Sequence, residues 1–279
     1  MEKFKKLYRF SNSWTGTIII VLLVIFFVVQ AFVIPSGSMK KSLLVGDHLF
    51  VKKYTYGIPV PHLPWLEVPV LPDFKGNGHL IEGSKPQRGD IVVFRFPVQK
   101  NIHYVKRNVA VGGDELLYVK NAMYLRPHEG DAYIKQNYPQ EKIVTIQGRL
   151  WVKDPYMQDF PNINYSGSSE GNGSAFELMA RAYVNNNIDM EPKMVDALDR
   201  VGNLPFNAFY KKVEPKQFYM VGDNRDNSND SRFWGSVEYK YIVGKPWFIY
   251  FSWDDNFSIR WDRIGATIDS LESRVYERN

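Results

Sequence analysis

Residues 15–34 (TGTIIIVLLVIFFVVQAFVI) contain no charged side chain and come close to the ~20 apolar residues that a helix needs to cross a bilayer. They read as one transmembrane helix, and that helix decides where the rest of the chain can fold. Residues 1–14 carry Lys3, Lys5, Lys6 and Arg9, which by the positive-inside rule hold the N-terminus in the cytoplasm. Everything after Ile34 then lies outside. A cleaved secretory signal begins in the same way, and Val29-Gln30-Ala31 offers the small residue that a cleavage site requires. We favour a retained anchor, because cleavage after Ala31 would free Ser38, four residues beyond the run, from the membrane surface beside which it stands.

The roughly 245 residues that remain suffice for one large domain or two modest ones. With no Cys, neither disulfides nor thiolate metal sites are available, so packing and hydrogen bonds must hold the outer part together. The 35 Lys and Arg against 30 Asp and Glu are scattered, a balance that suits anionic lipid and gives no footprint for nucleic acid.

Beyond the run, strand signals dominate. Residues 47–51, 90–96, 116–119, 218–221 and 246–251 are short stretches rich in Val, Ile, Phe and Tyr, bounded by Gly-Asp or Pro. They predict a mainly β fold with an antiparallel-sheet core. Few helices are expected: residues 174–185 with Ser174 as N-cap, and a short tail helix over 268–276. Between Tyr54 and Gly83 the density of proline forbids a central strand and predicts an extended, edge-like hairpin or loop. Two readings stand for its apolar Trp65, Leu66, Val70 and Phe74: insertion at a membrane interface, or a cap on the β core.

From about 116 to 212 the chain is rich in loops and carries no candidate chemistry, as an inserted second β-rich domain would. The layout expected is therefore a cytoplasmic segment 1–14, a membrane helix 15–34, a core from 35–115 and 213–265, the insertion 116–212, and a tail 266–279.

Chemistry concentrates at Pro35-Ser36-Gly37-Ser38-Met39 and Tyr104-Val105-Lys106-Arg107. A serine hydroxyl is a poor nucleophile until a base takes its proton, and lysine is a base only when neutral. Burial lowers a lysine pKa, and Tyr104, Val105 and Val109 supply apolar walls around Lys106. The Ser38 N–H and the Ser36 hydroxyl, with Gly37 allowing a tight turn, make an oxyanion site.

These motifs, together with Leu43, Leu44, Gly46 and Asp47, then Arg88-Gly89-Asp90-Ile91-Val92, Gly113-Asp114, and residues 222–228 (GDNRDNS) continuing to Asp230-Ser231-Arg232, resemble the bacterial type I signal peptidases, which are membrane-anchored serine proteases with a Ser/Lys dyad. The resemblance covers the anchor and most of the outer domain. It implies Ser38 as nucleophile, Lys106 as general base, Ser36 as oxyanion donor, Ser228 as the hydroxyl that positions the lysine amine, and an Asp230–Arg232 ion pair bracing the Ser228 loop. It also implies a pocket for small residues lined by Phe32, Ile34, Met39, Leu43, Tyr104 and Val105. Substrates would be secreted preproteins with small residues at −3 and −1, cut without cofactor or metal on the extracytoplasmic side of the bacterial cytoplasmic membrane by a single-pass protein in contact with lipid.

Two departures are visible. Lys41 stands where the family usually has proline, two residues before the paired leucines, and Gly112 stands where it has Pro before Gly-Asp. Both predict altered loop rigidity rather than lost catalysis.

Competing motifs fare worse. Ser38-Met39-Lys40-Lys41 satisfies the S-x-x-K signature of penicillin-binding proteins, yet no downstream S-D-N or K-T-G follows. Residues 167–171 (GSSEG) match G-x-S-x-G without the flanking strand and helix of a nucleophile elbow. Asp226, Ser228 and Asp230 have calcium-loop spacing, but Ser231 and Val237 replace the required Gly and Glu. His48, His62, His79, His103 and His128 lack zinc-site spacing, and strand alternation points His103 with Val105, away from Tyr104 and Lys106. A membrane-anchored β-rich binding module remains the non-enzymatic alternative; a change at Ser38 would leave its activity intact.

Overall fold

The computed structural model describes residues 2–63, 66–120, 122–165, 174–196, 198–202 and 204–274. The N-terminal segment forms two helices, α1 (Glu2–Ser11) and α2 (Trp14–Phe27), and Ser13 caps α2 by accepting from the Gly16 N–H. The expected single helix over 15–34 is corrected: the helix stops at Phe27, and Val29–Val33 is a strand, β1, paired antiparallel with β2 (Asp47–Lys52). The hydropathy of the run could not show this boundary, because apolar β-branched residues serve a strand as well as a bilayer helix. Among the described residues no single helix is long and apolar enough to cross a membrane; α1 and α2 meet the length and composition requirement only as a pair, bent by 81°.

A short hairpin, β3 (Gly57–Pro59) with β4 (His79–Glu82), follows, and between its arms His62 bridges Pro69. The proline-rich stretch thus stays outside the main sheets. Leu66 is 69 % exposed and Phe74 82 %; Trp65 lies outside the described residues.

The first sheet adds β5 (Ile91–Arg95) and β6 (His103–Val111), and is completed late in the chain by β13 (Gln217–Val221), β14 (Val237–Glu238) and β15 (Ile242–Ser252), in the order β1-β2-β15-β5-β6-β13-β14. All pairings are antiparallel. β15 pairs with β5 through Ile242 and Gly244, then with β2 from Lys245 onward, with register shifts that curl the sheet. Any side chain at Gly244 would strike the Lys52 backbone, so glycine lets the strands cross there. Alternation along β5 sends Ile91 and Val93 into one core, with Leu43, Leu49, Val51 and Ile249, and Val92 and Phe94 into another, with Phe218, Met220 and Ile242.

The second sheet comes entirely from the intervening chain: β7 (Glu115–Val119), β8 (Ala122–Arg126), β9 (Ile143–Ile146), β10 (Arg149–Lys153), β11 (Glu191–Lys193) and β12 (Ala208–Lys212), in the order β11-β12-β7-β8-β10-β9. Helix α3 (Asp131–Asn137) and helix α4 (Ala175–Val184) flank it. Ser174 caps α4 in a reciprocal box with Glu177. Phe176 and Met179 of α4 pack with Leu116 and Leu125 of the second sheet and with Val109, Tyr219 and Val221 of the first, so one core joins both sheets. Two short helices complete the fold, α5 (Ser231–Trp234) and α6 (Ile268–Glu272). The rest of the expected tail helix, to residue 276, and the G-x-S-x-G motif at 167–171 lie outside the described residues.

Candidate active site

Ser38 occupies the middle of a single 3-10 turn, Gly37–Met39, entered from the extended Ser36. The first N–H groups of a helical turn lack an internal acceptor, which leaves the Ser38 N–H without one inside the turn. The turn is held from behind: Asn224 donates its backbone N–H to the Ser38 carbonyl at 3.1 Å and its Nδ2 to the Gly37 carbonyl at 3.2 Å. Met39 anchors it in the core.

Lys106 lies in β6 opposite Val92 of β5, its side chain buried. Its Nζ donates to Ser38 Oγ at 2.5 Å. Burial drives its pKa down from 10.5 to about 8, with the nearby Asp230 pulling upward and Arg232 pushing down. The Tyr104 ring, 5.0 Å from Nζ, adds a modest preference for the ammonium form. The amine is thus a hydrogen-bonded base whose neutral form is accessible near neutral pH.

The neighbouring Arg107 alternates to the other face. It donates Nε and Nη2 to the two oxygens of Asp223 at 2.8 and 2.7 Å, and Nη1 to Gly89 O and to Glu272 Oε1, both at 2.6 Å. Ser42 Oγ donates to Asp223 Oδ2 at 2.6 Å. Asp223 adjoins Asn224, so this fully buried pair fixes the loop that grips the Ser38 turn. Burial opposes ionisation of Asp223, but the guanidinium keeps its pKa below the usual carboxylate value.

Asp230 and Arg232 pair through two bonds, Nε to Oδ1 at 2.7 Å and Nη2 to Oδ2 at 2.8 Å, and Asp230 also accepts from the Gly222 N–H at 3.1 Å. Ser228 does not make the expected contact with the amine. Its Oγ is buried, makes no hydrogen bond to Lys106, and packs against Gly222, where a side chain would strike both Ser228 and the Ser38 carbonyl. Its place is decided by this close packing, which no residue spacing reveals.

Ser36 Oγ lies 3.5 Å from Ser38 Oγ, on the same rim. Phe32, Ile34, Met39, Tyr104 and Val105 line a cleft of about 350 Å³ at the dyad, together with His103, Asn227 and Asn229. Leu43 does not reach the cleft wall; it is fully buried behind it. Residue-level reading missed Asn224 and the Arg107–Asp223 pair as supports of the turn, although both fall within boxes noted in the sequence. His103 stacks edge-on against Phe32, with ring centres 5.0 Å apart, and takes no part in the dyad.

The two departures acquire a structural meaning. Lys41 has φ 77°, which proline cannot adopt, and a side chain at Gly112 would come within 2.5 Å of the Lys216 nitrogen. A second cleft, about 1440 Å³, lies elsewhere, among Arg88, Tyr133, Tyr138, Phe160 and Lys216, and contains neither Ser38 nor Lys106. Nearby, Asp114, His128 and Glu129 converge as metal ligands would. The cationic position there is taken by Arg88, whose Nη2 lies 2.6 Å from Asp114 Oδ1 and 2.7 Å from Glu129 Oε2.

Residues 7–253 match the model of a peptidase family, and with the cleft and its serine this defines the chain as a serine endopeptidase, a hydrolase. Signal peptidase I of Helicobacter pylori strain 26695 is 45 % identical, with 100 % of this chain and 99 % of that protein aligned, and that of Pseudomonas aeruginosa PAO1 is 33 % identical over 91 % and 77 %. The chain belongs to the family described as signal peptidase, peptidase S26. A crystal structure of a signal peptidase I from Enterococcus faecalis V583 aligns with 58 % of this chain and 97 % of that one at 19 % identity, with a TM-score of 0.28.

Proposed function

We propose that this peptidase removes N-terminal signal peptides from secreted preproteins at the outer face of the cytoplasmic membrane through a Ser38–Lys106 dyad. The observation that carries the reading is the 2.5 Å hydrogen bond between a hydroxyl at the cleft rim and a buried amine whose pKa has fallen to about 8. The cleft lies between the end of β1 and the start of β6, so an extended substrate segment can lie along it as an added strand. Its apolar wall of Phe32, Ile34, Met39, Tyr104 and Val105 favours small side chains at −3 and −1 by excluding larger ones.

Ser38 Oγ attacks the scissile carbonyl as Lys106 takes its proton. The Ser38 N–H and the Ser36 hydroxyl receive the developing oxyanion. The lysine returns the proton to the leaving amine, and water, activated by the same base, releases the acyl group. Asp230, Arg232, Asp223 and Arg107 hold the frame around these groups and do not touch substrate.

Membrane attachment follows from α2. From Ile18 to Val24 its side chains are all apolar and all exposed, with Ile18 55 % and Leu23 50 % exposed, a surface suited to lipid as solvent. The basic residues of α1 would lie on the cytoplasmic side.

The test is cleavage of a preprotein with an Ala-x-Ala site by the detergent-solubilised full chain, beside Ser38→Ala and Lys106→Ala, with the product N-terminus sequenced. Cleavage after the second Ala by the parent alone supports the dyad. Equal cleavage by all three, or none by a folded parent, rejects it.

A further inference from the structure

The hairpin between His62 and Pro69 carries an acidic anchor, Glu67. Glu67 sits at its tip with φ 51°, and its backbone N–H closes the turn on the Leu63 carbonyl at 3.0 Å. Leu63, Leu66, Val68 and Val70 around it face outward. The Glu67 side chain instead turns inward and is largely covered: Oε2 accepts from Arg95 Nε at 3.2 Å and lies 3.7 Å from His103 Nε2.

Around this carboxylate the sheet gathers basic groups. Arg95 is the cross-strand partner of His103, its Nη2 lies 2.8 Å from His62 Nδ1, and Lys53 stands close enough to feel both Arg95 and Glu67. The Lys53 amine donates to the Ile25 carbonyl, in the last turn of α2, at 3.3 Å. Burial and the surrounding cations hold the His62 and His103 rings neutral, at about 4 and 3. Removing Glu67 would leave the buried Arg95 without a counter-charge.

His103 begins β6, three residues before Lys106, and with Phe32 forms part of the cleft wall. Beside the His62–Arg95 contact, the Glu67 carboxylate therefore joins the outward-facing apolar hairpin to the wall against which substrate lies. We propose that Glu67 is a positioning residue for the peptidase reaction: by fastening the hairpin to Arg95 and His103 it fixes the unprimed wall of the cleft and so sets substrate affinity. It touches neither Ser38 nor Lys106, so the chemical step is left alone. This inference rests on the proteolytic reading above.

The experiment compares the detergent-solubilised full chain with Glu67→Gln and Glu67→Asp, measuring kcat and KM for one Ala-x-Ala preprotein and the thermal unfolding of each protein. Glu67→Gln is expected to raise KM roughly fivefold or more while kcat stays within about twofold, and Glu67→Asp to recover part of the loss. Arg95→Lys, which keeps a cation but cannot span the same gap, should move KM in the same direction and serves as the second arm if Glu67→Gln does not fold. An unchanged KM in the folded variants overturns the inference, as does a fall in kcat that merely tracks lost folded protein. A parent that does not cleave overturns the proteolytic reading itself.

Discussion

Lys106 shows how a functional side chain can cost stability. Its pKa lies near 8 in the folded chain against 10.5 when exposed, so folding below pH 8 must bury an ammonium. Lys106→Met should abolish cleavage yet stabilise the fold at pH 7 by about 3 kcal/mol from the pKa difference, less about 1 for the lost bond to Ser38. The gain should shrink as pH rises from 8 toward 10.5, where the unfolded lysine also loses its proton; urea unfolding at pH 7 and pH 10 measures both. The parent's cleavage rate should fall about tenfold per pH unit well below 8, and a rate flat to mildly acid pH would exclude a lysine base. Gly222→Ala should displace the Ser38 carbonyl, 2.5 Å from the added carbon, and reduce activity by orders of magnitude in a protein that still binds substrate. The meeting of Ser38 and Lys106 was legible because each stands in an ordered sequence box. Ser228 was not, because its orientation depends on contact with a glycine whose role appears only when the strands are assembled.

Among the elements, local signals were readable and long-range ones were not. Ser174 and Glu177, three apart before an apolar stripe, announce α4, and the capping box is there. Ser174→Ala should cost about 1 kcal/mol in thermal or urea unfolding and leave cleavage intact. The boundary between α2 and β1 had no such signal: what stops the helix at Phe27 is pairing of Val29–Val33 with β2, a partner some twenty residues away. The loop from Gly222 to Ser228 carries the larger consequence. Asp223→Asn would leave Arg107 buried with its main counter-charge gone, and should destabilise by about 3–5 kcal/mol while freeing the Ser38 turn. Loss of activity greater than loss of folded protein, read on the same sample, would show that the pair positions the turn as well as holding the core.

At the scale of the molecule, the mainly β character was visible in short apolar runs, whereas the curl of the first sheet was not. That sheet joins strands from both ends of the chain around a complete second sheet, and the crossing at Gly244 and the register shifts of β15 reveal its curl. The buried neutral His62 and His103 give this assembly an acid limit. Unfolded, they take up protons near pH 6.5, but folded only near 4 and 3, so the unfolded chain binds more protons between these values. Stability should therefore decline as pH drops below 6.5, and His103→Phe should flatten part of that decline in unfolding curves from pH 7 to 4.

A single residue, Val28, separates the last turn of α2 from β1, and β1, locked against β2, leads directly to the turn that holds Ser38. With α2 in the bilayer, this strand is a rigid spacer of about 17 Å between lipid and cleft. The enzyme would then gauge length as well as side-chain size: a preprotein would be cut only where its own small residues stand the same distance from the end of its membrane-buried segment.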